Sequence, residues 1–230
     1  MTTLWLPSIN MPFVQAIDSI AATEGRWAII GGFAVWIHLG GAHRVTLDID
    51  AAAGPVAHQT LVTVGVPGTN ASQRILSGAE LEIIEVHDPI GGLDGLDAKQ
   101  RLFIAAHWAA AAHPIQATIR CDDIAVVAPV ASWLALVGCK LHAWLDRHSS
   151  QDTKRGSDGV DIIQLLRRQP EPSPLVSPVE GLADSVRWAA EQVLIDQATL
   201  VRRLILIHAD RDIEVDEIEL LGQELVERLT

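Results

Sequence analysis

GGFAVWIHLGGAHRVTLDID, residues 31–50, decides how the rest of the chain is read. It opens on a glycine pair, runs through an apolar stretch to a second pair at Gly40 and Gly41, and ends in two aspartates one residue apart. WAII at 27–30 reads as a short buried strand, the first glycines as the turn out of it, and FAVWIHL as a short helix stopped by Gly40. HRVTLDID alternates as a strand, with Val45, Leu47 and Ile49 on one face and Arg44, Thr46, Asp48 and Asp50 on the other. Side chains at i and i+2 of a strand share a face roughly 7 Å apart, so Asp48 and Asp50 can share a divalent cation that prefers oxygen. Taken alone, a D-x-D reads first as an exposed acidic strand edge that discourages pairing. The glycines add to it, because unobstructed N–H groups at the start of a helix form an anion site. Strand, G-G, helix, strand, D-x-D sets a phosphate cradle beside a metal cradle, as nucleotide chemistry requires.

Working outward, NMPFVQAIDSIAATE at 10–24 has apolar positions at helical spacing and Pro12 near its start, and Gly25 ends it. A further helix is expected within 56–64. ELEIIEV at 80–86 reads as another strand, and QATIRC with DIAVVA, within 116–128, as one or two more around an Asp-Asp turn. From Val130 the pattern is helical. ASWLALVGCKLHAWLDR forms a long apolar helix capped by Ser132 or the preceding proline turn, HSSQDTKRG a polar loop, and SDGVDIIQLLRR a second helix. PEPSPLVSP is a proline-rich connection, followed by two or three amphipathic helices. The expected class is α+β, with an α/β core over 1–129 and a helical domain over 130–230.

Composition narrows the function. The 230 residues are 49% hydrophobic and 20% charged, enough for a sizeable core. Two cysteines, Cys121 and Cys139, exclude a disulfide framework or zinc knuckle and fit a reducing, cytoplasmic setting. The start of the chain lacks the form of a signal peptide, and the most apolar stretch, IAVVAPVASWLALVGC, is short and broken by Pro129, so no membrane partner is expected. A net charge of -12 excludes a protein that coats nucleic acid through a broad basic surface. The charge is uneven. Residues 175–230 hold five basic and twelve acidic residues, whereas 140–168 hold six basic and four acidic, leaving room for a local basic site in mid-chain.

The G-G turn followed by D-x-D resembles the signature of the polymerase-beta-like nucleotidyltransferase superfamily, and HRVTLDID is similar to the form found in its AbiEii-type toxin members. That resemblance implies a polymerase-beta-like core with a mixed sheet followed by a C-terminal helical bundle. It also implies that Gly31 and Gly32 contact a nucleoside triphosphate, with Arg44 and Thr46 beside it, and that Asp48 and Asp50 hold magnesium. The fifteen residues between Gly32 and Asp48, with the extra Gly40-Gly41 turn, are a longer insert than the family pattern has.

A second match lies in KLHAWLDRHSSQDTKRGSDGVDII. Lys140 and Arg147 are seven residues apart on one helix face, and Asp158 and Asp161 lie on adjacent turns of the next helix. This is similar to the toxin family's second signature. It implies that the helical domain contributes Lys140 and Asp158 to catalysis, with Arg147 a phosphate or structural partner. Lys154 and Arg155 match the family's basic position only loosely, because Gly156 and Ser157 intervene. Without the resemblance, the same residues read as a helical hairpin with surface salt bridges.

The superfamily adds a third carboxylate from a neighbouring strand. Glu82 and Glu85 are the candidates, on opposite faces because their separation is odd, and Glu82 is chosen for its apolar-acid-apolar setting. His107 and His113 sit in an alanine-rich stretch with no spaced carboxylate, and His38 and His142 fall within apolar helices, so each reads as a partly buried packing residue, and Trp133 and Trp144 read as core. The expected activity is magnesium-dependent transfer of a nucleoside monophosphate. The resemblance implies a tRNA 3′ end as acceptor and a cognate antitoxin as partner. Two other readings stay open, a small cationic acceptor such as an aminoglycoside-like antibiotic, and a catalytically silent binding module of the same fold.

Overall fold

In a computed structural model the described residues are 2–41, 44, 46–89, 92–168, 177, 179–206 and 213–229. They form an α+β structure whose single mixed sheet runs in the order β1-β7-β8-β2-β3-β6-β5-β4. The strands are β1 (Thr2–Leu6), β2 (Trp27–Ile30), β3 (Asp48–Ala53), β4 (Val66–Pro67), β5 (Gln73–Leu76), β6 (Ala79–Glu85), β7 (Ile115–Cys121) and β8 (Ile124–Val130). Pairs β1/β7, β2/β8 and β3/β6 are parallel, and β2/β3, β4/β5, β5/β6 and β7/β8 antiparallel.

The chain groups into two compact units, one of residues 1–90 and 107–136, the other of residues 91–106 and 137–230. The first holds the sheet. Its helix α1 (Met11–Ala21) packs along β8 and β7, α2 (Gly31–Leu39) on β3 and β2, and α3 (Pro55–Leu61) on β6 and β3. Because β2 lies between β8 and β3, WAII is buried throughout, which is why it is a continuous apolar run instead of an alternating one. The apolar sequence of α2 is likewise buried on every side except at Gly31 and His38, and Phe33 stacks on Phe13 of α1 at 5.5 Å. Ala51, Ala52 and Ala53 are wholly buried, so the second half of β3 is core while its first half carries the aspartates.

The second unit contains most of α4 (Ala98–Ala112) and α5 (Trp133–Asp146), with α6 (Asp152–Arg167), α7 (Leu182–Ala190), α8 (Ala198–Ile205) and α9 (Val215–Arg228). α6 packs on α8 and α9. A π-helical segment, Glu191–Ile195, carries the chain from α7 towards α8 and packs on α9. Trp144 is fully buried and Trp133 nearly so, as expected of core residues.

Several sequence expectations need correction. Of the strand expected over residues 43–50, the described part begins at Asp48, and Arg44, Thr46 and Leu47 lie outside it. β2 ends opposite Asp50 and β6 begins at Ala79, so earlier residues run out of ladder partners. Leu47, expected on the buried face, is 78% exposed. Val45 and nearly all of the proline-rich connection lie outside the described residues. The loop HSSQDTKRG is mostly ordered. Ser149–Gln151 forms a 3-10 turn with a capping box between His148 and Gln151, and α6 starts at Asp152, whose charge suits a helix N-terminus. Asp158 and Asp161 therefore sit in the middle of α6 instead of opening it. Sequence patterning did not single out β1, β4, β5 or α4, which are short or, for α4, alanine-rich with little amphipathic signal. His113 is exposed, whereas His107 is buried and His142 packs on Phe103 at 5.0 Å.

Candidate active site

β2 stops at Ile30, and Gly31 begins α2 with φ of 67°, so the chain turns from strand to helix without a linker. Antiparallel pairing sets Ile30 opposite Asp50, which brings that aspartate to the first turn of α2. A Cβ built on Gly31 would stand 2.7 Å from Asp50 Cγ and 2.9 Å from its Cβ. On Gly32 it would stand 2.7 Å from both Arg44 Nη2 and Thr46 Oγ1. The two glycines are thus the points where the carboxylate, the guanidinium and the hydroxyl close on the helix start. Thr46 Oγ1 also donates to Asp48 Oδ1 at 3.4 Å, and Trp36 Nε1 donates to the Arg44 carbonyl at 3.1 Å, which ties the loop before β3 to α2. Gly31, Gly32, Arg44, Thr46, Asp48 and Asp50 converge within one unit.

The chemistry of this convergence is two-sided. The helix N-terminus and the Arg44 guanidinium favour an anion. Asp48 and Asp50 share a face, are half-buried and favour a cation. Magnesium takes one or two carboxylates and completes its octahedron with water and phosphate oxygens, and this pair fits that demand. Among the described residues no three His, Cys, Asp or Glu side chains are gathered to hold a metal by themselves. Glu82 therefore does not join the aspartates in a preformed three-carboxylate cage.

Glu82 nonetheless occupies the matching place on the neighbouring strand. β3 and β6 run parallel with Asp48 opposite Glu80 and Asp50 opposite Glu82, so all four carboxylates share one sheet face. Glu85 lies on the other face, where His58 Nδ1 and His87 Nε2 approach it at 3.7 and 3.6 Å. The odd spacing of the two glutamates separated them as expected.

Within the second unit, Lys140 Nζ lies 3.1 Å from Asp158 Oδ1 and 2.7 Å from Asp161 Oδ2, while Arg147 Nε donates to Asp158 Oδ2 at 2.6 Å. Two positive and two negative groups are matched in one network between α5 and α6. It is not a set of surface pairs: Lys140 is 6% exposed, Asp158 2% and Asp161 0%. Arg147, expected on the same helix face as Lys140, instead follows the last residue of α5, where its N–H still donates to the Ala143 carbonyl, and it is the more exposed member. Asp161 entered the sequence reading only as half of an Asp-x-x-Asp spacing, yet it makes the shortest contact to Lys140. Glu80, the other acid of E-L-E, was not among the sequence candidates, although strand alternation puts it on the face of Glu82. Its partner Gln73 carried no sequence signal, since its role depends on the β5–β6 hairpin.

His38, on α2, has its Nε2 2.8 Å from the Ala131 carbonyl, and burial pushes its pKa below the usual histidine value. Among the described residues no helix is long and apolar enough to cross a membrane. Compared with known proteins, the chain matches no family model and no curated protein.

Proposed function

We propose that the chain is a magnesium-dependent nucleotidyltransferase with a polymerase-beta-like core, and that it acts as the toxin of a toxin-antitoxin pair on the 3′ end of tRNA. The observation that carries this reading is the closure of Asp50 on Gly31 and of Arg44 and Thr46 on Gly32, with Asp48 hydrogen-bonded to Thr46. An anion cradle and a cation cradle share one strand-helix junction, the arrangement that positions a triphosphate.

In this reading the N–H groups of the α2 start and the Arg44 guanidinium bind the phosphates, and Thr46 orients Asp48. Magnesium, when bound by Asp48 and Asp50, supplies charge neutralisation on the phosphates and polarises the α-phosphorus. The acceptor hydroxyl attacks in line, the new P–O bond forms as the bond to pyrophosphate breaks, and Glu82 takes the hydroxyl proton. The resemblance also assigns Lys140, Asp158 and Arg147 to this reaction; within their own unit they form a charge-matched network in which Asp158 holds both Lys140 and Arg147.

The test is incubation with magnesium, total tRNA and each α-labelled nucleoside triphosphate, beside an Asp48→Ala/Asp50→Ala control. Label entering tRNA only with intact aspartates supports the reading and names the nucleotide. Triphosphate binding without label in tRNA redirects it to a small acceptor, which the charge of -12 favours if that acceptor is cationic. Absence of magnesium-dependent binding leaves a silent binding module.

A further inference from the structure

We infer that Gln73 is a positioning residue: it holds Glu80 off the Asp48–Asp50 pair, so that the pair captures a cation firmly only when phosphate is present. The inference rests on the function proposed above and concerns regulation of the same site.

The supporting geometry is local to the β4–β5–β6 edge. In the antiparallel β5–β6 pair Gln73 stands opposite Glu82 and Ile75 opposite Glu80. Gln73 is 8% exposed. Its side-chain carbonyl accepts the Thr69 N–H at 2.6 Å and also the Thr69 hydroxyl. With that oxygen committed, only the amide NH2 remains, and it donates to Glu80 Oε1. Flipping the amide would set an oxygen against a carboxylate, so the orientation is fixed. Gly68 makes room, since a Cβ there would stand 2.6 Å from both Cγ and Oε1 of Gln73. The Gly68 N–H also donates to the Gln73 backbone carbonyl at 2.8 Å.

The consequence follows from the parallel register. Four carboxylates stand two by two on β3 and β6, with neighbours across the strands about 4.8 Å apart. Such an array, left to itself, would gather on a divalent cation, yet no three of its members do so among the described residues. The Glu80 carboxylate is turned to Gln73. Two carboxylates bind magnesium or manganese weakly in water, and phosphate oxygens supply the missing ligands. Cation capture is thereby coupled to the triphosphate.

The test is Mn²⁺ binding followed by electron paramagnetic resonance without nucleotide, on the wild type, Gln73→Leu, Glu80→Gln and the double variant. Gln73→Leu is expected to tighten Mn²⁺ about tenfold by releasing a further carboxylate ligand, and the double variant to return to the wild-type value. Gly68→Ala, which displaces Gln73 without altering any charge, is expected to tighten Mn²⁺ in the same direction. It carries the test if Gln73→Leu does not fold. Unchanged or weaker Mn²⁺ binding in a folded Gln73→Leu or Gly68→Ala protein overturns the inference. Failure of the wild type to bind a triphosphate with any cation overturns the proposed function instead, and is read in a separate titration.

Discussion

The carboxylate of Asp50 occupies the space that any side chain on Gly31 would need, so the first residue of α2 and the third of β3 are fitted to each other. Gly31→Ala must both hold φ near 67° and displace Asp50. The left-handed backbone alone costs about 1–2 kcal/mol. Gly40 is the control: its φ is 72°, but nothing lies within 4 Å of a Cβ built there. Urea denaturation should show a larger loss for Gly31→Ala than for Gly40→Ala, and magnesium-dependent triphosphate binding should fall only in the former. Equal losses in both measurements would show that Asp50 is not constrained by Gly31.

Lys140→Met should destabilise the protein strongly. It leaves Asp158 and Asp161 buried with reduced compensation, and breaking a buried ionic network by removing one partner costs about 3–5 kcal/mol. Replacing the network together, as Lys140→Met/Asp158→Asn/Asp161→Asn, should recover much of that loss. Chemical denaturation of the single and triple variants decides it, since a purely additive series would mean Lys140, Asp158 and Asp161 do not act as a unit.

Acid should weaken the fold partly through His38. Burial lowers its folded-state pKa below 6.5, so the unfolded chain binds the proton more readily. The neutral imidazole's contribution is full above pH 6.5 and is lost as pH falls below that value. The ring presents a donor to the Ala131 carbonyl, which fixes the neutral tautomer protonated on Nε2. His38→Gln should flatten the thermal midpoint between pH 7 and 5. A slope identical to that of the wild type would assign the acid sensitivity elsewhere.

Glu82→Gln and Glu85→Gln should separate in function. Glu82 shares a face with Asp50, whereas Glu85 faces His58 and His87 on the other side. Nucleotidyl transfer should drop by about 10²–10⁴-fold, the usual worth of a general base, in the first variant only. Stability should change little in the second, because the side chains of Glu85 and His87 are substantially exposed and such pairs contribute about 0–1 kcal/mol.

How much of this was legible from sequence depended on the range of the interactions. WAII, the glycine pair and FAVWIHL are set by local patterning and appear as β2, the start of α2 and the body of α2. The odd separation of Glu82 and Glu85 fixed their opposite faces, because strand periodicity is a local rule. Periodicity could not locate the start of β3, since a strand lasts only while neighbours supply hydrogen bonds, and β2 ends opposite Asp50. The polar run before Asp158 read as a loop because its composition disfavours helix. Capping at His148 and Gln151 and packing against α8 and α9 overcame that preference.

By itself, the sequence determined an α+β class and the spacing of Gly31, Gly32, Asp48 and Asp50, because these follow from residue type and local period. Only the tertiary structure decided that Arg44 and Thr46 close on Gly32, that Lys140 is shared by Asp158 and Asp161, and that Gln73 holds Glu80. Each of these unites residues from different elements, and strand register and helix packing, which no local pattern specifies, set which side chains meet.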